Sequence, residues 1–186
     1  MALENNRIKY HKQIKKLRRN NPFELFTIDD NQSWIKKNKK LLLSYQKKNL
    51  SYKSKVHFHY SKVQMVIHND RIATEYKNLP ICNPDFIYID GPSQFSPSNK
   101  INGISTRHID IMPMISDVLK FEYFFTPGTI IVMDGRGANA KFIKDNFRRD
   151  WLYGYEESWD QHIFYLNDDA IGPYNKLQLQ FYKKNI

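Results

Sequence analysis

Apolar and polar residues are arranged along the chain in a pattern that predicts strands alternating with helices. Short aromatic and β-branched runs predict strands at 23–28, 55–61, 85–90 and 129–134. Helices are predicted at 138–147 and 174–184, with an antiparallel strand pair between them, at 151–158 and 161–167. The runs FIYID and TIIVMD are apolar up to a final acid, as strands buried on both sides are. This alternation predicts an α/β fold with a mainly parallel sheet and helices on both faces.

The clearest helical stripe lies at residues 110–119. Its apolar side chains recur at i, i+3, i+4, i+7 and i+8: Ile111, Met114, Ile115, Val118 and Leu119. We expect Asp110 to cap this helix. Three further helices are predicted: a basic one over 3–19, one that begins after Asp30, and a short one over 68–78.

Three of the predicted strands end in an acid: Asp29, Asp90 and Asp134. In a parallel sheet ligands bind beyond the C-terminal ends of the strands, so these carboxylates are expected along one edge. Gly91 and Gly135 follow two of the acids and leave the backbone beside them open to a ligand. For any one acid the alternative is a helix cap or a turn residue, but three at one edge favour a shared site.

Composition limits the number of domains and the cellular compartments that are compatible with the chain. A chain of 186 residues with 41% apolar residues suits a single domain. Its one cysteine, Cys82, excludes a disulfide framework and indicates a reducing compartment. No apolar run approaches the roughly 18 residues of a membrane span, and residues 1–19 lack the apolar region of a secretory signal. The sequence therefore predicts a cytoplasmic location.

The net charge of +10 is concentrated in the N-terminal part of the chain. Residues 1–79 hold 18 Lys and Arg against 6 Asp and Glu, whereas residues 80–186 hold 11 against 13. This excess of positive charge is typical of a surface that binds nucleic acid, an acidic membrane or a phosphorylated substrate. A nucleic-acid surface would be formed by the basic residues within 7–55. A coding bias toward Lys, Asn and Ile is the simpler explanation, because the lysines are not interleaved with aromatics as in a base-stacking groove.

The order of the segments resembles that of a known enzyme family. ELFTIDDNQSWIKKNKKLL, VHFHYS, PDFIYIDGPSQF and FFTPGTIIVMDGRGANAKFI follow one another as the matching segments do in class I S-adenosylmethionine-dependent methyltransferases. The likeness covers about residues 23–166 and is nearest to small-molecule O-methyltransferases and related uncharacterised bacterial proteins with an IDGPSQF loop. It implies a Rossmann-like sheet with an antiparallel C-terminal strand pair, and S-adenosylmethionine as the cofactor.

The resemblance implies roles for the residues at the strand ends. Asp29 would accept the ribose hydroxyls of the cofactor, and Ser61 would lie near its adenine. Asp90, with Gly91 beside it, would lie near the methyl-transfer centre. Asp134 would act with Asp90 to hold the molecule that accepts the methyl group.

A magnesium site follows only in part from the same resemblance. Asp90 and Asp134 match two ligands of the metal-dependent branch, but that branch has Asn where this chain has Gly135 and Lys where it has Ser93. Two carboxylates with waters could still hold Mg²⁺, which keeps several waters in most sites. We do not favour a metal.

The glycine-rich loop that follows the first strand of the family is missing. The seven glycines are residues 91, 103, 128, 135, 137, 154 and 172, and no apolar strand precedes residue 23. We therefore expect a single methyltransferase-like domain over 1–186 that lacks its first strand, with Met1 inside what was once a longer chain. Unpaired strand edges at the centre of a sheet are avoided in natural proteins. A partner chain or homo-oligomer that completes the sheet, a rearranged sheet or a mis-set gene start would each account for the gap.

Three further residues are candidates for contact with the acceptor. Arg107 could bind a carboxylate or phosphate, and His108 could act as a general base. The equally weighted alternative is a helix cap with solvent charges around it. Arg136 follows Asp134 closely and either contacts the substrate or pairs with that acid. His57 and His59 share one face of a strand without further ligands and are interpreted as ordinary strand residues.

The sequence therefore predicts an S-adenosylmethionine-dependent methyltransferase-like protein acting on a small-molecule or sugar hydroxyl. Catalysis would be chiefly alignment of acceptor oxygen, methyl group and sulfur. Two other classes remain open: a non-catalytic fold relative used for binding or assembly, and a basic nucleic-acid-binding module.

Overall fold

The computed structural model describes residues 24–49 and 55–183. The helix predicted over 3–19 lies outside the described residues. The strands are β1 (Glu24–Asp29), β2 (Lys55–Tyr60), β3 (Val63–His68), β4 (Arg71–Tyr76), β5 (Phe86–Ile89), β6 (Ile130–Asp134), β7 (Trp151–Glu156) and β8 (Gln161–Leu166). The helices are α1 (Gln32–Lys48), α2 (Asp117–Lys120), α3 (Gly137–Asn146) and α4 (Pro173–Lys183), with 3₁₀ turns at Glu122–Phe124 and Glu157–Trp159. The predicted strands at 23–28, 55–61, 85–90 and 129–134 correspond to β1, β2, β5 and β6.

The chain divides into two compact units, Met1–Ser61 and Lys62–Ile186. In the first unit β1 and β2 run parallel, with Asp29 opposite Tyr60, and α1 connects them. The helix begins after Asn31, whose side-chain oxygen accepts the backbone N–H of Trp34 and of the residue before it. Because an amide oxygen at this position satisfies N–H groups that have no partner in the helix, the NQSW stretch fixes where α1 starts.

The second unit contains an antiparallel hairpin, β3–β4, and a four-stranded sheet in the order β5-β6-β8-β7. Within this sheet β5 and β6 are parallel, whereas β8 is antiparallel to both of its neighbours. The fold is therefore mixed α/β, and the predicted antiparallel C-terminal pair is present as β7 and β8. The predicted mainly parallel sheet is not seen as one sheet: the described strands form three small sheets, and only β1–β2 and β5–β6 are parallel pairs.

The core of the second unit lies on one face of the four-stranded sheet. Alternate residues of β5, β6 and β8 point to this face, and they are covered by α3 and by the segment 115–125, which includes α2. The fully enclosed side chains include Ile131, Met133, Ala140, Ile143, Phe164 and Leu166. Trp151 stacks on Phe147 with ring centroids 4.4 Å apart at the margin of this cluster.

The helix predicted for 110–119 is wrong over most of its length. Only Asp117–Lys120 is helical, and Asp110 caps no helix. Pro113 has no N–H and disfavours a helical residue before it, so the chain cannot continue a helix through it. Instead the backbone runs beside β4, where the N–H of Thr74 donates to the carbonyl of Met114 and the N–H of Ser116 donates to the carbonyl of Thr74.

The short helix predicted for 68–78 is also wrong. This segment is the turn and second strand of the β3–β4 hairpin. Asn69 and Asp70 have φ values of 47° and 61°, and two consecutive left-handed residues match the right-handed twist of a hairpin. No strand is predicted at β3 from the sequence, although Val63, Met65 and Ile67 alternate with other residues there and Ser61 and Lys62 separate this segment from β2.

The unpaired edges of the described strands are relevant to the prediction that the sheet lacks its first strand. Among the described strands, β1 pairs only with β2, and β5 pairs only with β6. Each therefore has a second edge that no described strand occupies, and a partner that completes the sheet stays a prediction. No described helix combines the length and the apolar character needed to cross a membrane.

Candidate functional site

The parallel register of β5 and β6 brings two predicted acids to the same edge. Ile89 lies opposite Met133, and Asp90 and Asp134 are the next residues along the two strands. Neighbouring strands are about 4.8 Å apart, so both acids end the sheet side by side. Asp90 is exposed and Asp134 is half-buried. The prediction that these two carboxylates share a strand-end edge agrees with this geometry.

Tyr88 adds a hydroxyl group to this pair of acids. It lies two residues before Asp90 and therefore on the same face of β5. A hydrogen-bonding interaction with the Asp134 carboxylate raises the pKa of Tyr88, and burial and the negative charges of Asp134 and Asp90 add to the effect. The edge thus has two oxygen acceptors and one protonated phenol, a set suited to binding hydroxyl groups.

The side chain of Arg136 contacts the backbone of the loop that begins at Asp90. Its Nη2 atom donates to the carbonyl of Pro92 at 2.9 Å and to that of Asp90 at 3.4 Å. Its Nη1 atom is buried and has no hydrogen-bond partner among the described residues. Burial lowers the pKa of Arg136, and the negative charge of Asp90 partly offsets this. Arg136 therefore fixes the backbone beside the acids, while Nη1 keeps its donor capacity.

Two glycines shape the backbone at this edge. Gly91 precedes Pro92 through a cis peptide bond, and a Cβ atom on it would lie 3.5 Å from the hydroxyl oxygen of Tyr76. Gly135 has φ +55°, and a Cβ atom there would lie 3.2 Å from a carboxylate oxygen of Asp160. The N–H of Gly135 donates to the Asp160 carbonyl at 2.8 Å, so Asp160 is a third acid beside Asp134 that sequence reasoning missed.

In the first unit, Asp29 and Ser61 lie at the C-terminal end of the β1–β2 pair. The N–H of Ser61 donates to the Asp29 carbonyl at 3.1 Å, so the two predicted cofactor residues are neighbours. One carboxylate oxygen of Asp29 accepts the N–H of Asn31 at 2.7 Å, the turn arrangement that was its alternative interpretation. The Ser61 side chain is buried, with 2% of its surface exposed. Asp29 belongs to a different sheet from Asp90 and Asp134, and its part in a shared site stays a prediction.

Arg107 and His108 lie on the long loop before α2. Nε and Nη2 of Arg107 donate to the carbonyls of Pro97 and Phe95 at 3.1 and 3.0 Å, so Arg107 holds two parts of the loop together. The imidazole of His108 contacts Asp110, accepting its N–H at 3.2 Å. The contacts seen for both side chains lie within the loop, and their proposed roles toward an acceptor stay predictions.

Metal binding gains no support from the described residues. No three of their His, Cys, Asp and Glu side chains come together in a group that could hold a metal ion. His57 stacks on Phe26 with ring centroids 4.5 Å apart and lies 3.4 Å from Glu24, so its ring is part of the strand packing.

Two other residues near the edge were missed by sequence reasoning. His162 is buried opposite Met133, and its Nδ1 lies 2.9 Å from the Tyr153 hydroxyl. Tyr155 donates to Asp160 at 2.9 Å. The alternation of residues along β7 and β8 could have revealed them, because it places Tyr153, Tyr155 and His162 on one face of the sheet.

No protein-family model, curated protein or solved structure matches the chain.

Proposed function

We propose that the chain is an S-adenosylmethionine-dependent methyltransferase-like protein that acts on a small-molecule or sugar hydroxyl. The observation that supports this most is the strand-end edge of β5 and β6, with Asp90, Asp134 and the Tyr88 hydroxyl on neighbouring positions. In α/β sheets such an edge is where ligands bind. Gly91 keeps the backbone beside it free of a side chain.

On this proposal the residues of the edge orient the acceptor. A carboxylate of Asp90 or Asp134 accepts the hydrogen of the reacting hydroxyl group, which directs an oxygen lone pair away from the protein. The single O–H of Tyr88 donates to the Asp134 carboxylate, so its oxygen can accept a hydrogen bond from a second hydroxyl group of the acceptor. Arg136 holds the Asp90–Pro92 backbone in position. Since methyl transfer depends on alignment, this positioning is the main contribution expected from the protein.

The cofactor residues fit S-adenosylmethionine only in part. The bound cofactor would supply an electrophilic methyl group on a sulfonium. Asp29 has one carboxylate oxygen engaged with Asn31, and a carboxylate has acceptor sites beyond that bond for a ribose hydroxyl. The buried side chain of Ser61 does not present its hydroxyl to solvent, so its proposed contact with adenine has less support. A base that takes the acceptor proton is proposed to be His108 or one of the two strand-end acids.

The decisive experiment is calorimetric titration of the full chain with S-adenosylmethionine, together with a thermal-shift measurement. We expect binding that Asp29→Asn weakens and that Asp169→Asn, an exposed acid outside the site, leaves unchanged. Release of S-adenosylhomocysteine with phenolic or sugar acceptors is then expected to fall in Asp90→Asn and Asp134→Asn. No heat and no thermal shift at millimolar cofactor would instead support the non-catalytic relative.

A nucleic-acid-binding function is the second candidate, because α1 is strongly basic. The helix contains no acid. Six of its residues are exposed lysines: Lys36, Lys37, Lys39, Lys40, Lys47 and Lys48. Such a helix would release counterions from a phosphate backbone, so binding would weaken steeply with salt. Retention of the chain on single-stranded RNA that falls with salt, and that Lys36→Gln/Lys40→Gln reduces, would favour this function. Lys141→Gln/Lys176→Gln, outside α1, is the matched control.

Assembly with a partner is proposed alongside either function. β1 and β5 each have an edge that no described strand occupies, and a second copy or another chain could add a strand there. Sedimentation equilibrium of the full chain tests the homo-oligomer: a concentration-dependent mass above the 22.3 kDa of one chain is the expected result.

A further inference from the structure

The exposed side of α1 carries positive charge along the length of the helix. Ile35 is the buried residue of α1 and marks the side that faces the strands. Lys39 lies near that side, with its Nζ 5.7 Å from the ring centroid of Phe58 on β2. By helical periodicity the other five lysines lie on the opposite half of the helix, and all are exposed: Lys36, Lys37, Lys40, Lys47 and Lys48. Because α1 contains no acid, their charges are not neutralised within the helix.

An exposed tryptophan lies beside this row of lysines. Trp34 is 49% exposed, and Nζ of Lys37 lies 4.6 Å from the centroid of its ring. The backbone N–H of Trp34 donates to the side-chain oxygen of Asn31 at 3.3 Å, so the ring extends from the capped first turn of the helix. The surface therefore combines an aromatic ring on a fixed backbone with several ammonium groups, and both are open to solvent.

The acids nearest to α1 in the sequence lie before its first turn. Asp29 and Asp30 directly precede the cap residue Asn31, and Asp29 accepts the N–H of Asn31 at 2.7 Å. Their charges repel phosphate groups at this end of the helix. Phosphates are therefore expected beside the lysines of the later turns, and an uncharged part of the ligand beside Trp34.

The combination of ammonium groups and an indole ring selects one class of polyanion. Lysines neutralise the phosphates of any nucleic acid, whatever its sequence. An indole ring stacks on the face of a base, and that face is accessible only where the base is not enclosed in a duplex. A single strand offers both phosphates and open base faces, whereas a duplex offers only the phosphates.

We propose that α1 binds single-stranded nucleic acid, with one base stacked on Trp34 and the phosphates that follow it paired with the exposed lysines. This inference rests on the nucleic-acid-binding function given above as the second candidate, and it names the type of strand and the residue that selects it. Lys37 has a flexible side chain, so its ammonium group leaves the ring when a base stacks there and pairs with the adjacent phosphate.

The preference for single strands is measured with a fluorescently labelled oligouridine and with the duplex that it forms with oligoadenosine of the same length. Titrated with the full chain, the single strand is expected to bind about tenfold more tightly than the duplex, because stacking of one base contributes affinity of this order. Trp34→Leu is expected to weaken single-strand binding about tenfold and to remove the preference. Lys36→Gln/Lys40→Gln is expected to weaken binding to both and to reduce the dependence on salt.

Trp159 provides the matched control, since it is an exposed tryptophan in an acidic setting. It is 73% exposed and lies next in sequence to Asp160, close to Glu156 and Glu157. These acids repel phosphates, so Trp159→Leu is expected to leave the affinity for oligouridine unchanged. Intrinsic fluorescence is a second readout: oligouridine is expected to quench the parent chain saturably, and Trp34→Phe, which keeps an aromatic ring, is expected to remove most of this quenching.

The outcomes distinguish stacking from charge. Salt-dependent binding that Trp34→Leu does not change, with equal affinity for single strand and duplex, would overturn the role of Trp34 but leave the nucleic-acid-binding candidate in place. Absence of binding to either form at low salt would overturn both. Vesicles that contain phosphatidylserine are the test of an acidic membrane as the partner. If the chain binds these vesicles and not oligouridine, the exposed side of α1 is a membrane-binding surface and the proposal is wrong.

Discussion

The carboxylate of Asp117 accepts the backbone N–H of Tyr76, with Oδ1 at 3.1 Å and Oδ2 at 3.3 Å from the nitrogen. This contact joins the start of α2 to the end of β4, and it buries an acid of which 6% remains exposed. Burial raises the pKa of Asp117 to about 7; the nearby charge of Glu75 adds to this, and the Tyr76 hydrogen bond and Lys120 oppose it. Asp117 is thus a buried carboxyl group that stays protonated up to near-neutral pH.

The stability of the protein is therefore expected to fall as the pH rises from about 4 to about 7. The folded state holds the Asp117 proton more tightly than the unfolded chain, whose pKa is near 4, so the unfolded state binds fewer protons throughout this interval. The raised pKa corresponds to a loss on the order of 4 kcal/mol over the interval. Asp117→Asn keeps an oxygen for the Tyr76 N–H and is expected to flatten this slope in urea unfolding. Asp145→Asn, an exposed acid on α3, should leave the slope as in the parent chain; an equal change there would contradict the assignment.

Tyr88 is predicted to change its ionisation when Asp134 loses its charge. The carboxylate favours the protonated phenol, so Asp134→Asn is expected to lower the pKa of Tyr88 toward the ordinary tyrosine value. Carbon-13 labelling of the tyrosine ring carbon that bears the oxygen allows this titration to be followed between pH 8 and 12, with Tyr88→Phe to assign the signal. Asp145→Asn is again the control. An unchanged Tyr88 midpoint in Asp134→Asn would show that the two side chains do not interact in solution.

Local sequence rules predicted the strands at the candidate site better than the segments between them. β5 and β6 were recognisable because each is a buried apolar run that ends in an acid, and strand direction alone then placed Asp90 beside Asp134. The roles of Arg136 and Tyr88 were not predictable in this way. Both depend on contacts across the sheet edge, to Pro92 and to Asp134, that no spacing along the chain encodes.

The stripe at 110–119 shows why a helical period can mislead. Ile115, Val118 and Leu119 are all buried, as the stripe implied, but Pro113 and the exposed edge of β4 direct the chain into an extended path first. The pattern identified three of its five core residues correctly, since Ile111 is exposed and Met114 only half-buried, and it predicted the wrong backbone conformation for the residues before Asp117. A tertiary hydrogen bond, from Thr74 to Met114, determined the outcome against local propensity.

Glu122 is predicted to be a main determinant of stability in the second unit. Its Oε1 atom accepts the backbone N–H groups of Arg148 and Arg149, each at 2.8 Å, and the indole N–H of Trp151 at 3.1 Å. Only 2% of its surface is exposed. Glu122→Ala removes the shared acceptor of three partly buried donors and is expected to cost about 2–4 kcal/mol in urea unfolding.

Glu122→Gln keeps one acceptor oxygen at the same place, so a smaller cost of about 1–2 kcal/mol is expected. Trp151 fluorescence reports the same change, because its indole loses a partner only in the alanine variant. Glu157→Ala, at an exposed 3₁₀ turn, is expected to stay within about 0.5 kcal/mol. Comparable losses in Glu122→Ala and Glu157→Ala would mean that the three hydrogen bonds contribute nothing specific.

Two glycines of the second unit are predicted to respond oppositely to alanine. Gly128 has φ +94°, and a Cβ atom there would lie 2.6 Å from Cδ2 of Leu179 on α4. Gly128→Ala therefore adds backbone strain and displaces the Leu179 methyl group, and a loss of about 1–3 kcal/mol is expected, most of it from the strain. Gly154, on β7, has no atom within 4 Å of an added Cβ. Gly154→Ala is expected to be neutral or to stabilise by up to about 1 kcal/mol, since it restricts the unfolded chain. Thermal unfolding of both variants measures the difference. If Gly128→Ala also leaves the unfolding temperature unchanged, α4 does not pack against the turn before β6 as described.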